Sequence, residues 1–324
     1  MMINSALHFA PYLKSVIWGG ERIAPYKGIA TDQTSIGESW EISAVPGHVS
    51  VVDRGPFAGK SLTELIDEYG ADLLGEDIYR RFGSNFPLLI KLIDAKADLS
   101  VQVHPDDELA KQRHNCPGKT EMWHIIDTAP EAKIYVGLTE KITPDDYERR
   151  VADNSIMEVI DSYDSAAGDT FFLPAGRIHA IGAGNLLAEI QETSDITYRI
   201  YDYDRRDADG NPRELHTAEA RDAIDYNVYP DYKSHPTDSL LADCSHFTVD
   251  RIESTADGAS VSLPRRRESF TIVMCLDGEA ELTFAAADAD SQSVKITRGE
   301  TLLFPATIRS INALGKATLL SVQA

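Results

Sequence analysis

Four side chains in this sequence have the types and the spacing to hold a divalent metal ion. In LSVQVHPDD, Gln102 and His104 stand two residues apart. In a strand that spacing puts both on one face and turns Val101 and Val103 to the other, packed face. Pro105 ends the strand because it has no N–H to give to a ladder. Glu121, in GKTEMWHII, offers a carboxylate from the next strand-like run. His179 closes the string GDTFFLPAGRIH, which begins at Gly168. Gly168 permits a tight turn into a strand, and Phe171, Phe172 and Leu173 supply packing. Pro174 and Gly176 then bend the chain so that His179 re-enters pointing inward. An amide, two imidazoles and a carboxylate make a nitrogen–oxygen ligand set suited to zinc or another divalent ion. A lone inward histidine is more often a hydrogen-bonded core residue. The Q-x-H pair together with the spaced glycine–proline string favours the metal reading for His104 and His179.

The elements that must position these groups are short strands. SVVDRG, PLLIKLIDA, LSVQVH, EMWHIID, AKIYVGL, TFFLPAG, LLAEIQE and ITYRIYDYD fill the first two thirds, and FTIVMCL, EAELTF, SVKITRG and ETLLFPA follow. Rich in β-branched and aromatic residues and bounded by Gly, Pro, Asp and Asn, they predict an antiparallel sandwich or barrel. The string G-x5-P-x-G-x2-H from Gly168 to His179 resembles the second motif of the cupin barrels at each defined position. Ala183 stands where that motif usually carries Asn, with Asn185 two residues late. Helices are few. Ser61 and Glu64 form a capping-box pattern opening a helical stretch to about Arg81; Thr143-Pro144 starts a helix to about Ala152; Thr217 is expected to cap another to about Ile224. The polar, proline-containing segment from Tyr226 to Ser239 reads as a linker. The expected architecture is therefore mainly β: two cupin (jelly-roll) barrels, a catalytic metal-binding one over 1–238 and a second over 239–324. In the second, Gly299 to Pro305 keeps the G-x5-P spacing, but Thr307 replaces the glycine and Ser310 the histidine. That barrel is expected to lack metal and to serve as structure or interface.

With these motifs in order, the sequence resembles the type I mannose-6-phosphate isomerases, in their short bacterial branch. The resemblance is carried by GESWEIS at 37–43, PLLIKLIDAKADLSVQVHPDD, GKTEMWHII and LPAGRIHAIGAGNLLAEIQETSDITYRIYDYDR, and it extends over essentially the whole chain. It implies a zinc site made by Gln102, His104, Glu121 and His179, the set already reached from spacing. It also implies a lysine two residues before the glutamate ligand, here Lys119, and a strand S-D-x-x-x-R, here Ser194 to Arg199. Strand periodicity would place Asp195, Thr197 and Arg199 on one face. The implied reaction interconverts mannose 6-phosphate and fructose 6-phosphate through an enediol. In it Arg199 supplies positive charge to the intermediate, and Lys119 and Asp195 are the candidates for proton transfer and ring opening, in an order the residues do not assign. Arg177, beside the motif, is a phosphate contact or a surface residue; His124, of opposite parity to Glu121, is expected to pack.

Composition fits such an enzyme and disfavours other classes. The 324 residues are 43% hydrophobic and 26% charged, enough for a sizeable core. The net charge of −21 repels phosphate backbones and anionic membranes, so neither nucleic acid nor membrane is expected as a partner. No apolar run reaches the roughly 20 residues that span a bilayer, and the N-terminus lacks the pattern of a secretion signal. Cys116, Cys244 and Cys275 are unpaired in spacing, as expected of a cytoplasmic protein. Two rival readings stay open on the residues. Two histidines with Glu121 could form the facial triad of an iron dioxygenase, or serve an isomerase of another sugar; Gln102 as a fourth ligand separates these. A catalytically silent sugar-binding protein would need no Lys119, Asp195 or Arg199.

Overall fold

The computed structural model describes residues 3–206, 210–255, 258–286 and 290–324. It is mainly β, as expected, and its described strand pairings are antiparallel. A seven-stranded sheet runs in the order Lys233–Ser234, Thr170–Leu173, Glu121–Thr128, Asn185–Glu192, Leu88–Asp94, Ile36–Ile42, Tyr12–Gly20. A five-stranded sheet runs Tyr198–Tyr201, Val101–Val103, His179–Ile181, Lys133–Leu138, Ile160–Asp164. The two enclose a shared apolar layer, with Ile93, Trp123, Phe171, Leu173 and Leu187 from the first and Ile134, Val136 and Ile181 from the second. The outer face of the five-stranded sheet is covered differently. Val101, Val103, Tyr198 and Ile200 pack there with Tyr147 and Val151 of the helix Pro144–Ala152 and with Ala220 of the helix Thr217–Ala223. Alternation along Val101–Val103 thus turns Gln102 inward, as its parity predicts.

A third, nine-stranded sheet is built mostly from residues after 239, around the two long strands Thr271–Ala286 and Ile308–Gln323. FTIVMCL and EAELTF, read as separate strands, are one strand with a register shift between Cys275 and Asp277. The N-terminal strands Leu7–Phe9 and Val52–Arg54 extend this same sheet, Leu7 lying opposite Leu303. One apolar cluster runs from helix residues Leu62, Leu65 and Leu74 through Phe86 to Phe270 and Leu320, so the two ends of the chain share a core.

The capping boxes of Ser61 with Glu64 and of Thr143 with Asp146 both form. The stretch after Ser61 is not continuous: Gly70 and Gly75, both at positive φ, break it into Leu62–Tyr69, Ala71–Leu74 and Glu76–Phe82. Thr217 is the first helical residue and His216 the cap position, without a side-chain capping bond. A helix over Asp107–His114, capped by Asp106, was not anticipated. The segment 226–239 is docked, not loose. The Tyr232 hydroxyl donates to the Leu138 carbonyl at 3.0 Å and accepts the Leu138 N–H at 3.1 Å, and Lys233–Ser234 pairs with Thr170 and Phe171.

Candidate active site and metal centre

The ladder of the five-stranded sheet sets three of the expected site residues in one row. Gln102 is opposed on one side by His179 and on the other by Arg199, and directly opposed residues project from the same face. Across the interior, Glu121 opens the strand Glu121–Thr128, opposite Leu173 and Gln191. His104 follows the end of Val101–Val103, and its carbonyl accepts the N–H of Gly176 at 2.9 Å. Gly176 sits at φ +87° with the Ala223 carbonyl 2.9 Å from where a Cβ would lie, so the bend before His179 needs a glycine.

The side chains converge. His104, Glu121 and His179 are buried, and one donor atom from each lies within 4.8 Å of the others. The His104 Nδ1–H donates to the Ile196 carbonyl at 2.9 Å and the His179 Nδ1–H to the Arg177 carbonyl at 2.8 Å. Both Nε2 atoms are thereby left as lone-pair sites, and they face each other at 3.2 Å. Burial, reinforced by the nearby Lys119 ammonium, holds His104 well below the usual histidine range and His179 at about 3, so the rings are neutral. Glu121 Oε1 is buried with no hydrogen-bond partner and lies 3.3 Å from His179 Nε2. Burial pushes its carboxyl upward, opposed by Lys119. The Gln102 amide stands 3.3 Å from His179 Nε2. Two opposed imidazole lone pairs converge on a buried carboxylate oxygen that has no partner, and a divalent cation among them would satisfy all three. The donor set fits a divalent metal ion.

Lys119 adjoins this centre, its ammonium 3.0 Å from His104 Nε2 and hydrogen-bonded to Glu121 Oε2. Arg199 donates from its guanidinium to the Glu214 carbonyl at 2.8 Å, while its buried Nε–H has no partner. Asp195 is not brought into the cluster. The strand expected from 195 starts only at Tyr198, and Asp195 is exposed in the preceding loop. Gln191 causes this: its amide donates to the carbonyls of Glu192 at 2.9 Å and Ser194 at 2.7 Å, and the Ser194 N–H turns back to Glu192. The Ile196 carbonyl then serves His104 instead of a neighbouring strand. Arg177 is neither at the surface nor at the cluster; its guanidinium stacks on the rings of Tyr229 and Tyr232. His124 is buried against Thr170, facing a separate cleft of about 660 Å³ lined also by Arg22, Tyr26 and Arg298.

A buried charged row escaped the sequence analysis. Trp40, Lys91, Glu189 and Trp123 lie opposite one another across the seven-stranded sheet. The Lys91 ammonium is 3.0 Å from Glu189 and 3.6 Å from Glu38, and Glu189 accepts the indole N–H of Trp123 at 2.9 Å. Trp123 in turn meets the His179 ring edge-on at 5.2 Å. Although burial opposes it, Lys91 and Lys119 hold Glu189 ionised, well below the usual carboxylate range. The available signal was a lysine inside the apolar run PLLIKLIDA, where an unpaired charge is not tolerated. A second grouping, Asp107, Glu192 and His246, also has its donor atoms within 4.8 Å, but its carboxylates already accept the N–H groups of Gly118 and Thr120 and the His246 ring.

Known proteins resemble this chain along most of its length. The family model for the type I phosphomannose isomerase catalytic domain matches residues 7–140. Mannose-6-phosphate isomerase ManA of Bacillus subtilis is 35% identical over 87% of this chain and 88% of its own. The mannose-6-phosphate isomerase of Streptococcus mutans is 33% identical over 91% and 90%. A crystal structure of mannose 6-phosphate isomerase from Bacillus subtilis superposes with a TM-score of 0.85 at 31% identity, covering 99% of this chain and all of that one. Similarity of this extent, over the strands that carry the cluster as well as those that frame it, places the chain in the type I mannose-6-phosphate isomerase family.

Proposed function

We propose that this chain interconverts mannose 6-phosphate and fructose 6-phosphate with zinc held by Gln102, His104, Glu121 and His179. The observation that carries this reading is the pair of opposed Nε2 lone pairs beside the unpartnered Glu121 Oε1. The similarity to mannose-6-phosphate isomerases over nearly the full chain supports the substrate. Bound there, zinc would supply Lewis-acid stabilisation of charge on the sugar oxygens.

Aldose–ketose exchange requires ring opening, removal of a proton beside a carbonyl and its return to the neighbouring carbon. The enediolate between those steps carries negative charge. Arg199, in the row with Gln102 and His179, contributes a fixed positive charge on that face, and its unpartnered Nε–H is a donor available to an oxyanion. Lys119 holds Glu121 in place and has protons to deliver at the same spot. Asp195, exposed in the loop next to the Ile196 carbonyl that orients His104, is the carboxylate assigned to proton exchange in this reading. Lys119 and Asp195 are thus the two proton carriers.

The division into a cupin barrel over 1–238 and a metal-free one over 239–324 belongs to the same proposal, with Leu7–Phe9 and Val52–Arg54 lent to the second sheet. Among the described residues no helix is long and apolar enough to cross a membrane. With three free cysteines and a diffusible sugar phosphate as substrate, the cytoplasm is the proposed location. The experiment is turnover of mannose 6-phosphate before and after chelation, with zinc then restored. Zinc-dependent appearance of fructose 6-phosphate is expected; zinc-loaded protein that forms none would refute the substrate assignment.

A further inference from the structure

Glu192 is 5% exposed at the end of the strand Asn185–Glu192, and its two carboxylate oxygens serve different halves of the chain. Oε2 accepts the backbone N–H of Thr120 at 2.7 Å; Oε1 lies 2.9 Å from His246 Nδ1, an ion-pair contact that raises the imidazole above its usual range. His246 comes from the turn 244–247, closed by the Cys244 N–H on the Phe247 carbonyl at 3.0 Å. Phe247 anchors that turn, fully buried and edge-on to Phe172.

The other end of this chain of contacts reaches the cluster. Gly118, Lys119 and Thr120 are held by three successive N–H groups, donated to Asp107 Oδ1 at 2.8 Å, the Pro105 carbonyl at 3.1 Å and Glu192 Oε2. Gly118 presses so closely on this frame that a Cβ would lie 2.5 Å from the Asp107 nitrogen. Lys119, between two of these clamps, puts its ammonium 3.0 Å from His104 Nε2 and on Glu121.

We propose that His246 is a positioning residue for the isomerisation, fixing the Thr120 backbone through Glu192 and so the place of the Lys119 ammonium beside Glu121 and His104. The proposal rests on the role given to Lys119 above. Without His246, Glu192 Oε1 loses its partner in a buried setting, and the carboxylate is free to reorient, loosening its hold on Thr120. Misplacement of a reacting group by a fraction of an ångström lowers rate without weakening ground-state binding.

The test compares His246→Leu, which removes the donor, with His246→Asn, whose amide nitrogen takes the place of Nδ1. For His246→Leu we expect kcat on mannose 6-phosphate to fall about tenfold with KM within about twofold. Hydrogen–deuterium exchange at the Thr120 amide should accelerate, and His246→Asn should recover most of both. Wild-type kcat and exchange in His246→Leu would overturn the proposal. So would a lowered melting temperature with unchanged kcat, which is what a purely structural contact gives. If His246→Leu does not fold, Glu192→Gln poses the same question, since it puts an NH2 donor where one of the two carboxylate oxygens met Thr120 or His246. If the wild-type protein does not turn over mannose 6-phosphate, the functional reading fails, and the exchange comparison alone decides whether His246 holds Thr120.

Discussion

His104 and His179 point their Nε2 atoms at each other across 3.2 Å while each donates Nδ1–H to a backbone carbonyl. Each ring is locked by an atom that local sequence cannot move: the Ile196 carbonyl lies in the loop turned by Gln191, and the Arg177 carbonyl lies in the P-x-G bend. The imidazoles are therefore preset as acceptors before any ion arrives, which is the arrangement a metal centre needs.

From this it follows that His104→Ala or His179→Ala should abolish zinc retention and lower turnover by ~10²-fold or more, since one of the two converging nitrogen donors is removed. Metal content by elemental analysis, measured beside initial rates, checks both. A variant that keeps a full equivalent of zinc at wild-type affinity would remove that histidine from the ligand set.

Arg199→Ala should behave differently. Its side chain shares a face with Gln102 and His179 but is held by the Glu214 carbonyl, and among the described residues it hydrogen-bonds neither His104, His179 nor Glu121. Zinc content should remain near one per chain while kcat falls by ~10²- to 10³-fold, the usual effect of removing a donor to a developing oxyanion. Full activity in this variant would exclude Arg199 from the mechanism.

How much of this was legible beforehand depended on the range of the signal. Gln102 and His104 declare themselves by a two-residue spacing, and Gly176 and His179 by a local bend. Only the strand placement of Asp195 was over-read: parity counting assumed a strand there, whereas Gln191, four residues earlier, ties down the turn through Glu192 and Ser194 and the strand starts at Tyr198. The Lys91 row was missed because Glu38, Lys91 and Glu189 become neighbours only once Ile36–Ile42, Leu88–Asp94 and Asn185–Glu192 are laid side by side. The same limit hid the addition of Leu7–Phe9 to the far sheet, a pairing across nearly 300 residues.

That buried row yields its own expectation. Lys91, Glu38 and Glu189 have side chains 6 to 10% exposed, so removing Lys91 takes away the cation that both buried carboxylates share. Lys91→Met should destabilise the fold by ~3–5 kcal/mol. Glu38 keeps Lys14 at 3.2 Å, so Glu189 should carry most of the penalty, and the double change Lys91→Met with Glu189→Gln should regain part of the loss. Chemical denaturation of the single and double variants measures this; equal stability of Lys91→Met and wild type would mean the row is solvated.

The contact between the N-terminal strand and the far sheet should be pH-sensitive through Glu300. Burial alone would raise its carboxyl, but the His8 imidazole 3.6 Å away and hydrogen bonds from Arg54 and the Thr297 N–H hold it far below the usual carboxylate range. A carboxyl lower in the folded than in the unfolded chain stabilises above its unfolded pKa of ~4.3 and loses that contribution as pH falls toward the folded value. Glu300→Gln should therefore melt earlier than wild type at pH 7, with the gap closing as pH drops below about 4. A gap that persists at the lowest pH where the protein folds would assign it to packing.

Arg309 stands one residue before Ser310, where a cupin motif in the C-terminal part would carry its histidine, and its fate separates two ways that part could matter. Its side chain is 55% exposed and pairs with Glu268, which is 74% exposed. Such a pair contributes ~0–1 kcal/mol. It touches none of the groups at the metal cluster, so Arg309→Ala should leave kcat, KM and zinc content near wild type and shift the melting point little. A large loss of activity would require a ligand contact in that damaged motif. With catalysis intact there, the influence of this half on the reaction narrows to the turn that carries His246, and steady-state rates for the two variants, side by side, distinguish the routes.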